Sequence, residues 1–180
     1  MRAISNLQNA DYKLGIIRYQ SSYESYFREM YREKEFSSEV LAEFTYRVVM
    51  SKNHPLAQKE SIVTEDLTPY TELSHPDPYV PSMPLSLVRK NEILDNTDKH
   101  IYIFERGSQM ELLSTVPGTF MWCSPEPASV LEQHGLVQRT CSDNAVKYRD
   151  VLIYKKEYSL TDLDKAFIDI ILTLKKEFKE

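Results

Sequence analysis

The chain has 180 residues, 42% hydrophobic and 27% charged, with a net charge of −5. Those are ordinary globular values, and a chain of this length buries about 70% of its unfolded surface in one domain or a compact pair of lobes. Runs such as Leu14–Ile17 and Ile101–Phe104 fall far short of the about 20 apolar residues that span a bilayer, and lysines and arginines cluster no further than Lys155–Lys156 and Lys175–Lys176, which excludes duplex DNA as a partner of this chain alone.

The N-terminal stretch MRAISNLQNADYKLG has no apolar core and no small-residue cleavage site, so the expected address is cytoplasmic. Ile4 and Leu7 stand three apart, as on a helix face. Leu14–Tyr19 follows as a short apolar run and predicts a buried strand. From there Tyr23, Tyr26, Phe27, Met30 and Tyr31 fall on one helical stripe, read as a core face.

Phe44, Tyr46, Val48 and Met50 alternate with their neighbours and predict a strand. Thr64–Leu67 reads as one helical turn capped by Thr64 and stopped before Pro69. Five prolines between Pro69 and Pro84 mark an irregular stretch, suited to a lobe crossing or a ligand-contacting loop.

Ile101–Phe104 predicts another strand, and Ser108 with Glu111 has capping-box spacing ahead of Leu112 and Leu113. Thr119–Cys123 follows the Pro117-Gly118 turn. Ser124-Pro125 predicts a helix start, with the helix ending at Gly135. Val137–Thr140 and Val151–Tyr154 predict two more strands. The last helix is capped by Ser159 and carries Leu160, Leu163, Phe167, Ile170, Ile171, Leu174 and Phe178. Strands alternating with helices predict an α/β fold on a largely parallel sheet.

Motifs that carry chemistry are missing. Four glycines leave no GxGxxG and no phosphate-binding loop, and there is neither GxSxG nor HExxH. His54, His75, His100 and His134 lack metal-ligand spacing and read as loop or surface residues. Cys123 and Cys141 are too few for a disulfide framework or a zinc site. No cofactor, metal or catalytic residue is expected. Helix starts after strands, at Ser108 and Ser124, would instead suit an anionic group such as a ligand carboxylate.

The stretch FTYRVVMSKNHPLAQKESIVTEDL, Phe44–Leu67, resembles LysR-type transcriptional regulators, whose effector-binding domains carry a strand, then HPLA, then a short helix ending in DL. Here these are His54, Pro55, Leu56, Ala57, Asp66 and Leu67. Ala10 through Ile17 is similar to the family's "aDlgI" strand, Glu111–Leu113 with Pro117–Thr119 to its helix, turn and strand, and Tyr158 through Asp169 to its terminal helix.

The resemblance implies a two-lobed, periplasmic-binding-protein-like α/β fold with Rossmann-like lobes: lobe I about 1–90 with 155–180, lobe II about 91–154. The crossover strands would be Glu43–Met50 and Lys147–Tyr154. It also implies a winged helix-turn-helix, a linker helix and a first strand–helix–strand unit that this chain lacks, so the first lobe is expected to be truncated.

A small-molecule effector would sit between the lobes, with DNA bound only through the missing domains and the regulator acting as a homo-oligomer. Candidate effector contacts are Ser74, His75 and Asp77 in the proline-rich stretch, Glu105, Arg106 and Ser108 at one helix start, and Trp122 and Ser124 at another. Alternatives are a transport solute-binding protein, disfavoured by the missing signal peptide and the HPLA stretch, and a small α/β enzyme, disfavoured by the missing motifs.

Overall fold

The computed structural model describes residues 2–9, 11–74, 99–105 and 107–176. The chain forms two compact units, one from Met1–Phe44 with Val146–Glu180 and one from Thr45–Ala145.

The first unit contains α1 (Arg2–Asn9), β1 (Gly15–Gln20), a 3₁₀ turn at Ser21–Tyr23, α2 (Glu24–Glu33) and β2 (Phe36–Thr45). Two elements from the end of the chain complete it: the strand Lys147–Lys155 and the helix Asp162–Lys176. The C-terminal strand lies at the centre of a three-stranded sheet and pairs antiparallel with β1, from Gly15 opposite Ile153 to Gln20 opposite Tyr148. Both of its faces are covered, which explains its unbroken apolar run. Val151 and Ile153 pack with Ile17 and Tyr19 against Ile4 and Leu7 of α1 and Phe27, Met30 and Tyr31 of α2. Leu152 packs on the opposite side with Leu41 and Ile168.

The predicted aromatic stripe of α2 is therefore core. Phe27 stacks on Tyr19 at 4.0 Å and meets Tyr26 edge-on at 5.2 Å. Gly15 lets α1 approach β1 closely, because a Cβ there would stand 3.0 Å from Leu7 Cδ1.

The second unit contains β3 (Arg47–Ser51), β4 (Ser61–Ile62), α3 (Thr64–Leu67), β5 (Thr71–Ser74), β6 (His100–Tyr102) and α4 (Gln109–Thr115). β7 (Thr119–Cys123), α5 (Ala128–Gln133) and β8 (Leu136–Cys141) follow; the C-terminal strand and helix are β9 and α6. Its sheet order is β4-β8-β3-β7-β5-β6. Val48 and Met50 face one core with Phe120, Leu56, Ala57, Ile62 and Leu67, while Val49 faces the other with Met121, Leu73, Leu113 and Leu131.

Several sequence expectations are corrected. The sheet is mixed rather than largely parallel, because β3 runs antiparallel to both β7 and β8 while β4/β8, β5/β7 and β5/β6 are parallel. The single strand expected at 44–50 is two strands, β2 and β3, interrupted at Tyr46. β3 is built between β7 and β8, so residues from Thr45 onward group with the second unit instead of the first.

Ser159 does not cap the last helix. Thr161 does: its Oγ1 accepts from the Asp164 N–H at 3.2 Å, and the Asp164 carboxylate accepts from the Thr161 N–H at 2.8 Å. Thr64 is not a cap either, since it stands inside α3.

The capping group for α3 comes from far along the chain. Asp143 accepts from the Thr64 N–H at 3.1 Å and from the Thr64 hydroxyl at 2.5 Å. These donors, with the Cys141 thiol at 3.0 Å, hold the Asp143 carboxyl down at about 2, so it is ionised throughout the neutral range. Burial, with Asp143 beside it, pushes the Cys141 thiol up to about 12.

The HPLA turn is also part of the packing. His54 is buried rather than at the surface; its Nδ1 accepts from the Leu56 N–H at 3.2 Å, and its ring lies 4.3 Å from that of Tyr70. Burial lowers the His54 pKa and favours the neutral imidazole. Arg139 closes the turn by donating from Nε to the Ala57 carbonyl at 3.0 Å.

Candidate functional site

β5, β6 and β7 run parallel within the second unit, so their carboxyl ends, at Ser74, Tyr102 and Cys123, reach the same edge of the sheet. Ligands of open α/β sheets gather at such an edge. Ser74, Glu105, Ser108, Trp122 and Ser124 all lie at or just beyond it. His75, Asp77 and Arg106 lie outside the described residues.

Alternation along β5 decides which side chains share a face. Leu73 is buried in the core with Leu113 and Met121, so Glu72 and Ser74 face the other way. The Ser74 hydroxyl donates to Glu72 Oε1 at 2.8 Å, and His100 Nδ1, directly across the ladder, lies 3.8 Å from Glu72 Oε2. His100 stacks on Tyr102 with centroids 5.8 Å apart. Continuing the β5/β7 register from Glu72 opposite Phe120 sets Ser74 level with Trp122, which packs with Phe120 and Val48.

Glu72 and His100 were not singled out from the sequence. The available signal for Glu72 was its position two residues before Ser74 on one strand. Nothing in the sequence announces that β6 lays His100 beside it.

The two helix starts differ from expectation. Ser108 makes no side-chain cap bond to α4. Instead, the exposed Glu105 carboxylate folds back, accepting from the Gly107 N–H, from the Ser108 N–H at 3.1 Å and from the Ser108 hydroxyl at 3.0 Å. These bonds, that from Gly107 first, lower the Glu105 pKa. The place expected for a ligand anion is thus occupied by a carboxylate of the chain itself.

Ser124 does not start a helix, since α5 begins at Ala128 after Pro127. Pro125 and Pro127 explain the delay, because the residue before each proline is driven from helical to extended backbone. Gln138 holds the intervening segment, accepting from the Glu126 N–H at 3.1 Å and donating to the Glu126 carbonyl at 3.0 Å.

The arrangement offers hydrogen-bond acceptors, hydroxyls, an imidazole and aromatic faces. The Cys141 thiol is not activated as a nucleophile. Cys141 is held protonated, and Cys123 Sγ donates to Glu126 Oε1 at 3.4 Å. Among the described residues no three His, Cys, Asp or Glu side chains converge as metal ligands.

Two surface hollows are also present, the second of them beside the carboxyl end of β7, where Arg47 stands opposite Cys123. One, of about 410 Å³, is lined by Tyr12, Lys13, Lys155 and Tyr158 in the first unit. The other, of about 300 Å³, is lined by Arg47, Lys59 and Arg139 in the second. The cations of the latter are engaged, Lys59 with Asp66 at 2.6 Å and Arg139 with the Ala57 carbonyl, which makes it a poorer anion site than its composition suggests.

No protein-family model matches the sequence, and no curated protein matches it. Solved structures do. The effector-binding domain of QuiR in complex with shikimate is 20% identical, with a TM-score of 0.62, over 98% of this chain and 78% of that one. HinK, a LysR family transcriptional regulator from Pseudomonas aeruginosa, is 15% identical with a TM-score of 0.64, over 97% of this chain. This chain spans 57% of the length of HinK. The regulatory domain of MetR, a LysR family regulator from N. meningitidis, is 18% identical with a TM-score of 0.56, over 97% of this chain and 73% of that one. The chain therefore has the two-lobed, periplasmic-binding-protein-like α/β fold of LysR regulatory domains, as its sequence motifs imply.

Proposed function

We propose that this chain is the effector-sensing module of a LysR-type transcriptional regulator, binding a small molecule without transforming it and controlling DNA-binding domains that lie outside these 180 residues. What supports the reading above all is the fold likeness over 98% of the chain to a domain solved with a small molecule bound. It coincides with the HPLA-to-DL motif, which makes the same assignment from sequence. The module works in the cytoplasm and as a homo-oligomer; no helix of the described residues is long and apolar enough to cross a membrane.

The effector contacts are assigned to the carboxyl edge of β5, β6 and β7. Ser74, Glu105, Ser108, Trp122 and Ser124 are joined there by Glu72 and His100; His75, Asp77 and Arg106, outside the described residues, are assigned to the effector from the sequence alone. Glu72 and Glu105 favour a ligand rich in hydroxyl or ammonium donors, and Trp122 offers it an apolar face. A carboxylate on the ligand needs a cation, and Arg106 is the candidate for that role.

The test is a thermal-shift screen of hydroxy acids, amino acids and aromatic acids. An effector at 100 times its Kd adds about 2.7 kcal/mol of stability, expected as a rise of roughly 5–11 °C in Tm for a domain of this size. A broad library that leaves the Tm unmoved would contradict the sensing role.

A further inference from the structure

The hollow of about 410 Å³ in the first unit is lined by two short segments. Asp11, Tyr12 and Lys13 come from the link between α1 and β1, and Lys155, Glu157 and Tyr158 from the end of β9 and the turn after it. Both segments are held in place. Leu14 anchors the first by packing with Leu41, Leu152 and Ile168. In the second, the Lys156 N–H donates to the Glu35 carbonyl at 2.9 Å and the Tyr158 N–H to the Lys155 carbonyl at 2.9 Å. The Tyr158 hydroxyl donates to Asp164 Oδ2 at 2.6 Å, which pins the ring. The Lys13 ammonium stands over that ring, 5.8 Å from its centroid.

The charges of the hollow decide what it can hold. Among the described residues neither Lys13 nor Lys155 is in an ion pair, in contrast to Lys59 of the other hollow, which binds Asp66. Asp11 and Glu157 balance the two lysines, so a bare anion gains no net attraction. The set instead favours a ligand with a compact anion for the two ammoniums and hydroxyl donors for the two carboxylates. Tyr12, 60% exposed, adds a ring face on which a flat aromatic group can stack. The volume suits a drug-sized molecule rather than a free amino acid.

We propose that this hollow is a second ligand site, for a nucleoside monophosphate. The phosphate lies between Lys13 and Lys155, the sugar hydroxyls donate to Asp11 and Glu157, and the base stacks on Tyr12. The proposal goes beyond the sensing role above and does not rest on it, because every described residue assigned to the effector belongs to the second unit.

Calorimetric titration of the full chain with the four common nucleoside 5′-monophosphates, without any effector, tests this. Saturable binding with a Kd below about 1 mM is expected, with adenosine and inorganic phosphate each at least about tenfold weaker. Stacking tolerates any base, so all four nucleotides should bind. Tyr12→Ala should weaken binding roughly 5- to 150-fold, the range for a lost base–aromatic stack. Lys13→Met with Lys155→Met should weaken it about tenfold and abolish most of its salt dependence. Unchanged circular dichroism and Tm show that these surface variants still fold. Lys59→Met, in the other hollow, should leave the Kd as it was. Absence of binding for all four nucleotides at about 5 mM overturns the proposal. A Kd indifferent to Tyr12 or to the two lysines overturns it equally. Free phenylalanine or tyrosine bound more tightly than the nucleotides, and lost in the same variants, would give the hollow to an aromatic amino acid instead. Each of these results leaves the thermal-shift response of the effector edge unaffected.

Discussion

Replacing Phe27 by alanine is expected to cost about 3–5 kcal/mol of stability, the range for deleting a fully buried phenylalanine from a packed core. The side chain is 1% exposed and sits among Ile17, Met30, Tyr31 and Val151. Its stacking on Tyr19 and edge contact with Tyr26 would go too, and such pairs contribute beyond the buried area itself. The surrounding rings are too rigid to collapse into the gap. At roughly 2–4 °C per kcal/mol for a domain of this length, the fall in Tm should be plain in a calorimetric scan. Phe27→Leu, which fills most of the volume, should lose less than half as much. Equal losses in the two variants would mean that the cavity is not what costs stability.

Arg18→Ala is expected to cost about 2–4 kcal/mol, because it takes the bidentate partner from a buried carboxylate rather than merely deleting a surface contact. Arg18 Nε and Nη2 reach the two Asp150 oxygens at 2.7 and 2.9 Å, and the residues are directly opposed across the β1/β9 ladder. Asp150 is 4% exposed, and the Arg18 guanidinium also covers the Phe44 ring at 4.8 Å. The Arg18 side chain is 37% exposed, which places the loss toward the low end for a buried pair. Replacing both partners, Arg18→Met with Asp150→Leu, should recover most of the loss, since no charge is then left unpaired. Denaturant titration measures both. A single variant no worse than the double would show that the bidentate bond, rather than the desolvation of the buried carboxylate, carries the energy.

Much of the fold was legible because periodicity reports burial. The continuous run Val151–Tyr154 marks a strand covered on both faces, and the stripe from Tyr23 to Tyr31 marks a helix with a core side. Helix α6 was legible for the same reason, although periodicity could not say which of its apolar residues face inward. β2 begins at Phe36, earlier than expected, because Ser37, Ser38 and Glu39 break the apolar alternation. Helix starts were the least legible feature. Ser108 and Thr64 have the right chemistry for caps, yet Glu105 and Asp143 take up the donors there, and Asp143 is a neighbour only after folding. The antiparallel setting of β3 is likewise a long-range pairing with no local sign.

The site followed the same division. That Ser74, Glu105, Ser108, Trp122 and Ser124 share one sheet edge follows from strand order, which strand-then-helix reading anticipates. The Glu72–His100 juxtaposition depends on β5 pairing with β6, and no spacing between positions 72 and 100 reveals it.

The central claim, a sensing edge without chemistry, is most directly tested through Trp122, the one tryptophan of the chain, which stands at that edge. A compound that raises the Tm should, when titrated, change the Trp122 emission saturably, with the Kd that its thermal shift implies, and should be recovered unchanged after prolonged incubation. An emission that stays flat while the Tm rises, or a ligand consumed during incubation, would contradict the account.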